Sequence, residues 1–484
     1  HYDYIVVGGG PVGLSTAHNL GKAGKKVLVL EQFMYFNQAG SSGDFVRMFR
    51  TMYSDENLCK LAIKTKDLWA ELETEAQVQL IEMTGLLNFG DPDYKDGPEG
   101  NLTKPIEIMT KLGMSFRKLS REEIMKEYHF RNLPSNFIGV FAKDNGVINV
   151  FLTVRALYAL AKKYGVELRE NEKVTSIKCT DCGVNVMAAR KNVITGEQDQ
   201  KSYSAKKVII TAGAYVNDVI KSLNFQIQLS IWEMVSMYFT MDAMMNPPVQ
   251  YPSMWFQFQD GCPPNLFYGF PSVSWGPQNQ TRIAMDWASR IIKDPSERQT
   301  CVSEYELRVT SAWVENHCIG VQNRPVFQGT CLMANVHDNN FVLDFAPEGV
   351  LGPAHKNVII FTAGWAFKFV PMLGKCLSQL AIDGQTEFNI DEYSINRPGI
   401  LGFIISRFSF YKEVLFNRDL ERDIRFYRGG IERKEDTRKY HKFLTDRDRL
   451  IGEELLRRSI LKSGLSTAWL DDLMEEWEKV HTQT

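Results

Sequence analysis

The chain has 484 residues, more than one simple hydrophobic core accommodates, so it divides into two or three domains or forms a composite fold. Hydrophobic residues make up 44% and charged residues 24%, the balance of a soluble globular protein, and a formal net charge of -2 provides no field to draw nucleic acid. No apolar run reaches the roughly 18 residues that span a bilayer, and eight cysteines over this length do not make a disulfide framework, which favours a reducing, cytoplasmic setting.

The first element is a strand-like run, Tyr4-Ile5-Val6-Val7, leading into Gly8-Gly9-Gly10-Pro11-Val12-Gly13; a second apolar run, Val27 to Leu30, then stops at Glu31 and Gln32. Strand, helix, strand and acid follow in the order of a dinucleotide-binding fingerprint, the acid standing about 20 residues beyond the glycines. Gly8 permits the tight turn, Gly10 lets backbone amides approach a pyrophosphate, and Gly13 lets the helix pack close to the strand with the phosphates at its positive end. Glu31 would hold a ribose hydroxyl. The fingerprint leaves open whether the nucleotide is NAD or FAD. It lies too near His1 to leave room for a retained signal peptide.

Two later runs, Val208-Ile209-Ile210-Thr211-Ala212-Gly213 and Val358-Ile359-Ile360-Phe361-Thr362-Ala363-Gly364, each read as a buried strand ending in Ala-Gly, where small residues let a cofactor approach the backbone. Together with the first strand they predict one sheet assembled from three distant parts of the chain. A discontinuous cofactor domain is expected over residues 1–85, 148–215 and 326–398, and a substrate domain over 86–147 and 216–325, with strand-like stretches at Met234 to Thr240 and Asn265 to Phe270. Cys179 and Cys182 have CxxC spacing, but no second pair or histidine cluster accompanies them, so a solvated turn is expected rather than a zinc site. Beyond Arg397-Pro398 the character changes. Residues 399–484 are rich in charge, with helical patterns in Leu450 to Leu461 and, after a Ser466-Thr467 cap, in Trp469 to Val480. The apolar and aromatic stretch Leu401 to Phe416 is open to packing on the main body, on a second subunit or partner, or on a membrane surface, with packing on protein favoured.

At this point the chain resembles the flavin amine oxidases typified by monomeric sarcosine oxidase, a family that includes N-methyltryptophan, pipecolate and fructosyl amino acid oxidases. The resemblance covers residues 1 to about 398 and rests on motifs in the family's order. These are the glycine fingerprint; Gly40-Ser41-Ser42-Gly43-Asp44 with Arg47 and Arg50; Thr84-Gly85-Leu86-Leu87; Tyr268-Gly269-Phe270-Pro271-Ser272; Cys331 thirteen residues before Asp344; Gly364 with Phe367-Lys368; and Ser394-Ile395-Asn396-Arg397-Pro398. The resemblance chooses FAD over NAD. It implies cofactor contacts from Ser41, Ser42, Val174, Gly213, Gly364, Phe367 and Lys368, and a thioether from Cys331 to the flavin ring. A thiolate can add to the electrophilic methyl carbon of the oxidised ring, and a covalent flavin cannot be lost. Arg50 and Lys368 match the two cations that grip a substrate carboxylate in the family, a role fixed positive charges suit. Arg47 is expected to touch the cofactor or brace its loop, and Tyr268 to hydrogen-bond in the pocket or serve as a strand aromatic.

Four positions depart from the family. Arg282 stands where those oxidases place a lysine that stabilises superoxide; it keeps the charge but is bulkier and cannot shed its proton, or else it is an outward strand residue displaced by a short insertion at Ser274 to Gln280. Asp286 and Trp365 replace histidines, and Met333 replaces a pocket tyrosine. A carboxylate at 286 that faces the pocket would favour an ammonium group, and the stretch Phe367-Lys368-Phe369-Val370-Pro371 with Gly374-Lys375 is closer to the pipecolate and fructosyl amino acid branch, which implies a substrate larger than sarcosine.

The expected fold is therefore α/β: a Rossmann-like FAD domain of the glutathione-reductase type with an inserted antiparallel-sheet substrate domain and a helical C-terminal tail. The expected activity is oxidation of the carbon to nitrogen bond of an amino acid or N-substituted amino acid to an imine, with dioxygen reduced to hydrogen peroxide. A dehydrogenase passing electrons to another acceptor, and a flavin-binding interaction protein without turnover, are the alternatives. The chain's visible end, His481-Thr-Gln-Thr, is not a peroxisomal tripeptide, so a peroxisomal address would require a clipped terminus.

Overall fold

Strand β1 (Tyr2–Val7) is buried over its last four residues because the sheet it centres is covered on both faces. It runs parallel to β2 (Val27–Leu30) on one side and to the end of the strand Gln198–Ile210 on the other, and that strand in turn runs parallel to Val358–Thr362. The three distant runs thus meet in one sheet. The computed structural model describes residues 1–94, 99–242, 251–261 and 265–403. Among these, the same sheet is widened by Glu167–Arg169 beside β2, by an antiparallel hairpin of Glu172–Thr180 and Gly183–Lys191, and by Val342–Phe345. The hairpin register pairs Thr180 with Gly183, so Cys182 sits in its two-residue turn and Cys179 two positions before the turn, on the strand. No group of described residues there or elsewhere could hold a metal ion.

Helix α1 (Pro11–Lys22) follows the glycine turn and packs against the helices Val150–Lys163 and Val370–Asp383. Two glycines seat the helix, Gly13 against the glycine turn and Gly374 where the helix Val370–Asp383 crosses it. A Cβ at Gly13 would lie 2.0 Å from the Gly8 carbonyl oxygen, and one at Gly374 would lie 2.1 Å from Ser15 Oγ. The strand Val342–Phe345 is tied to the closing Ser394-Ile395 segment by Asp344, whose Oδ2 accepts from Ser394 Oγ at 2.6 Å and from the Ile395 amide at 3.1 Å.

A second sheet is built from the segments inserted between these strands. Its order runs through Arg290–Ile292, Ser230–Met241, Gln280–Met285, Phe267–Phe270, Met254–Phe258, Leu86–Gly90, Ile138–Ala142 and Arg117–Ser120. Pairing is antiparallel except between Leu86–Gly90 and Met254–Phe258, so the sheet is mixed where an antiparallel one was expected. The strand Val321–Asn335 pairs along most of Ser230–Met241, so the division expected between residues 325 and 326 falls inside a continuous strand of this second sheet. The face away from the cofactor is filled by aromatic rings. Trp255 and Trp313 stack with centroids 5.1 Å apart, and Phe267 stacks on Trp313 at 4.9 Å. Trp313 is brought there by the helix Glu304–His317, whose first turn is closed by a reciprocal Ser303–Glu306 capping box.

The unit His1–Gly402 contains everything above. The helical patterns expected at Leu450 to Leu461 and Trp469 to Val480, the Ser466-Thr467 cap, and nearly all of Leu401 to Phe416 lie outside the described residues. Among described residues no helix is long and apolar enough to cross a membrane.

Replacing Trp313 by alanine removes the ring common to both stacked pairs. The expected loss is about 3–5 kcal/mol of stability in the second sheet, measured as a lower chemical-denaturation midpoint by tryptophan fluorescence; an unchanged midpoint would show that this cluster does not support the fold.

Candidate active site

The site is a cavity between the two sheets, and its first end is made by the glycine turn. Gly8, Gly10, Pro11, Val12, Glu31 and Gln32 line it there. Gly8 has φ of 107° and leaves no room for a side chain, since a Cβ would lie 2.7 Å from the Thr211 carbonyl oxygen. Gly10 is the N-cap of α1 and no side chain caps that helix; Pro11 has no N–H, so the first turn offers an anion the amides of Val12 and Gly13. A Cβ on Gly10 would meet nothing within 4 Å, which means the turn opens onto the cavity. Gly13 lies behind the lining, where it seats the helix. Glu31 accepts from the Gly9 amide at 2.7 Å and the Phe33 amide at 2.9 Å; desolvation pushes its carboxyl upward, and those amides only partly offset it. These features suit the pyrophosphate and ribose of a dinucleotide such as FAD.

Ser41, Ser42, Arg47, Val174 and Gly213 also line the cavity. Arg47 braces the loop it ends: its guanidinium donates to the carbonyls of Ser41 at 2.8 Å, Gly43 at 2.7 Å and Val46 at 2.9 Å. Cys331 also lines the cavity, half-buried, in the strand Val321–Asn335 and paired with Met234. Gly364 and Phe367 line it too, and Gly364 packs so closely on Met333 that a Cβ would lie 2.2 Å from Met333 Cγ.

Arg282 is inward-facing and 4% exposed, so it is not an outward strand residue. Its Nε donates to Ser236 Oγ at 2.8 Å and stands 2.8 Å from Asp44 Oδ2 in an ion pair, and its Nη2 donates to the Tyr268 hydroxyl at 3.1 Å. The guanidinium carbon stands 5.1 Å from the centroids of both Tyr268 and Phe270. Asp44 also receives Arg47 Nη1 at 3.3 Å, Ser236 Oγ at 2.7 Å and the Tyr238 hydroxyl. Desolvation opposes the Asp44 carboxylate, but Arg282 and Arg47 outweigh it and hold its carboxyl below the usual range. Asp44 lies inside the motif quoted from the sequence, yet its role as the anion that neutralises Arg282 is visible only in space.

The far end collects four charged side chains. Arg50 forms an ion pair with Glu99 and lies over the Tyr53 ring, 4.6 Å from its centroid, while its Nε has no hydrogen-bond partner. Desolvation works against the Glu99 carboxylate, but Arg50 and Lys368 keep its carboxyl below the usual range. Sequence reasoning missed Glu99, which pairs with Arg50, one of the two cations expected to grip a carboxylate. Lys368 makes no ion pair with a described residue. Its ammonium sits 5.2 Å from the Trp365 ring centroid, and desolvation followed by repulsion from Arg50 lowers it to about 8. Asp286, just beyond the strand Gln280–Met285, lines the cavity and makes no side-chain hydrogen bond or ion pair with a described residue. Desolvation and then the Glu99 charge push its carboxyl upward. Trp365 is fixed by its Nε1 donating to the Asn339 carbonyl at 2.8 Å and by stacking on Phe341 at 4.7 Å. Tyr268 stacks on Phe256 at 5.8 Å and presents its edge to Phe270.

The sequence profile of the FAD dependent oxidoreductase (DAO) family matches residues 3–380. A putative bifunctional amine oxidase of Dictyostelium discoideum is 47% identical over 405 residues, covering 82% of this chain and 37% of that protein, so the chain spans little more than a third of that relative. Monomeric sarcosine oxidase of Bacillus sp. (strain B-0618) is 27% identical over 404 residues, 83% of this chain and 97% of that one. Among solved structures, the open form of NikD, an unusual amino acid oxidase essential for nikkomycin biosynthesis, superposes with a TM-score of 0.73 at 32% identity, covering 81% of this chain and 97% of that one.

Asp44→Ala leaves Arg282 buried without its anion and strips acceptors from Ser236 and Tyr238. The expected cost is about 3–5 kcal/mol, checked by urea denaturation against Asp44→Asn, which retains one acceptor and is expected to lose less.

Proposed function

Because the chain belongs to the FAD dependent oxidoreductase family, we propose that it oxidises the carbon to nitrogen bond of an amino acid or N-substituted amino acid larger than sarcosine. The product is an imine, and dioxygen takes the electrons as hydrogen peroxide. The observation that carries this reading is the pairing pattern at the far end of the cavity. Arg50 is paired with Glu99, whereas Lys368 and Asp286 make no ion pair with any described residue in the same space. An unpaired cation beside an unpaired carboxylate is complementary to a zwitterion: carboxylate toward Lys368, protonated nitrogen toward Asp286.

Bound FAD supplies the acceptor for a hydride or its equivalent. The protein's part is to hold the amine and make it neutral. Lys368, assisted by the outer face of the Arg50 guanidinium, fixes the substrate carboxylate and so orients the carbon that is oxidised. Asp286, once ionised, accepts the ammonium proton and frees the nitrogen lone pair that drives hydride departure; its carboxyl is raised to about 8, so the accepting form is populated as pH rises toward 8 and is favoured further when an ammonium group lies beside it. Trp365 and Met333, where sarcosine oxidases carry histidine and tyrosine, shape an apolar wall for a larger substrate. Cys331 is the proposed site of thioether attachment to the flavin. Arg282 is the charge nearest the role of the oxygen-activating lysine, but its ion pair with Asp44 favours a second reading, in which electrons pass to an acceptor other than dioxygen.

The reading is tested by anaerobic titration of the flavoprotein with a panel of secondary, cyclic and N-substituted amino acids. Bleaching of the flavin by at least one is expected, and no bleaching by any would overturn it; peroxide released on admitting air separates oxidase from dehydrogenase. Lys368 is lowered to about 8, so the carboxylate anchor is charged below that pH and lost above it. Affinity for the amino acid should fall as pH rises through 8, and Lys368→Met should remove this dependence while weakening binding roughly 10- to 100-fold. Asp286→Asn should slow flavin reduction about 10²- to 10⁴-fold while leaving the binding of a simple carboxylate, followed by flavin absorbance, unchanged; equal rates would exclude Asp286 as the proton acceptor.

A further inference from the structure

The strand that carries Cys331 is fastened to the rim of the cavity by a side chain with no part in the chemistry above. Arg298 follows the short turn Pro295–Glu297, which is closed by a reciprocal Asp294–Glu297 capping box. Its guanidinium reaches two separate segments. Nε donates to Thr330 Oγ1 at 3.1 Å, Nη2 to the Thr330 carbonyl, and Nη1 to the Gln38 carbonyl at 2.5 Å. Thr330 Oγ1 passes its own proton to the Gln299 carbonyl at 2.8 Å, and on the other side of Cys331 the Leu332 amide donates to the Gly40 carbonyl at 3.3 Å. The two neighbours of Cys331 are therefore both held to the loop 38–40, which runs directly into the cavity residues Ser41 and Ser42. No carboxylate pairs with Arg298 among the described residues, so its rigid fork of donors is devoted to backbone and hydroxyl oxygens.

We propose that Arg298 is a positioning residue for covalent attachment of the flavin: it fixes the backbone on one side of Cys331 so that Sγ is presented to the ring methyl group. The inference rests on the covalent FAD of the preceding reading. In the attachment, sulfur replaces one hydrogen of the ring methyl group. The thiol and the methyl group each give up a proton, the electron pair left behind reduces the ring, and dioxygen removes that pair with two protons as hydrogen peroxide. The rate of such a step depends steeply on placement, since a displacement of about 1 Å costs on the order of 10²-fold. The ladder to Ser230–Met241 already holds the strand itself through Thr330, Cys331 and Leu332, so what Arg298 adds is the seating of that strand against the loop 38–40, where a shift of this size would move Sγ off the methyl carbon.

The test uses full-length protein incubated with FAD under air, precipitated with acid, and scored for the fraction of flavin that stays with the pellet. The wild type is expected to retain its flavin and Cys331→Ala to release it. Arg298→Ala is expected to bind FAD with an unchanged spectrum and thermal midpoint but to attach it roughly 100-fold more slowly. Arg298→Lys, which keeps the charge and loses the fork, is expected to behave as the alanine variant does; restoration by lysine would overturn positioning in favour of charge alone. Thr330→Val, which removes only the hydroxyl, provides a milder break in the same clasp, with a slowing smaller than that of Arg298→Ala. Wild-type protein that releases all its flavin would defeat the covalent reading itself, whereas attachment in Arg298→Ala and Thr330→Val at the wild-type rate would defeat the role of Arg298 and leave the covalent reading intact.

Discussion

A nearly dry carboxylate holds the two halves of the cavity together. Asp44 pairs with Arg282 and accepts from Arg47, Ser236, Tyr238 and the Phe45 amide. Its loop belongs to the cofactor side, while Ser236, Tyr238 and Arg282 belong to strands of the second sheet. A buried charge with this many donors is stable only in one geometry, because each donor lost leaves a desolvated partner behind. The relative placement of the loop 40–47 and the second sheet is thus specified by hydrogen-bond directions more sharply than apolar packing alone specifies it. The neighbouring Phe45 carbonyl extends the junction by accepting from Trp275 Nε1 at 3.1 Å.

At the far end the electrostatics follow another logic. Arg50 and Glu99 form a closed pair whose charges cancel, and the residual character of the pocket comes from Lys368 and Asp286. Each is shifted toward its neutral form first of all by desolvation, so both are poised to change charge when a charged group enters. An acid and a base held this way exchange protons with a ligand more readily than two groups locked in a salt bridge.

The cofactor sheet is legible in the sequence because strands covered on both faces are apolar throughout, and the runs at Ile5 to Val7, Val208 to Ile210 and Val358 to Ile360 carry that mark without help from long-range context. The glycine turn is legible for the same local reason. Glu99 is not: it lies in a Gly- and Pro-rich stretch without periodicity, and its meaning depends on Arg50, 49 positions away in the chain. Arg282 shows the limit differently. Its residue type and place in a strand are readable, but alternation alone cannot say which face of the strand meets an acid from another domain. The strand Val321–Asn335 escapes its sheet assignment because its outer half carries Pro325 and polar residues that read as a connection. At a sheet edge, with pairing to Ser230–Met241 on one side, a proline and exposed polar side chains are tolerated.

The close crossing of α1 with the helix Val370–Asp383, which the missing side chain of Gly374 permits, has a bearing on how such a pocket diversifies. That second helix begins two residues after Lys368, and the Lys368 carbonyl is itself held by Trp69 Nε1 at 2.9 Å. The span from the anion-binding end of α1 to the ammonium of Lys368 is consequently inherited from helix geometry, as the length of a ruler is. Descendants of this scaffold can exchange Trp365, Met333 or Asp286 and so reshape the cavity wall, but the distance from the Lys368 ammonium to the glycine turn travels with the backbone.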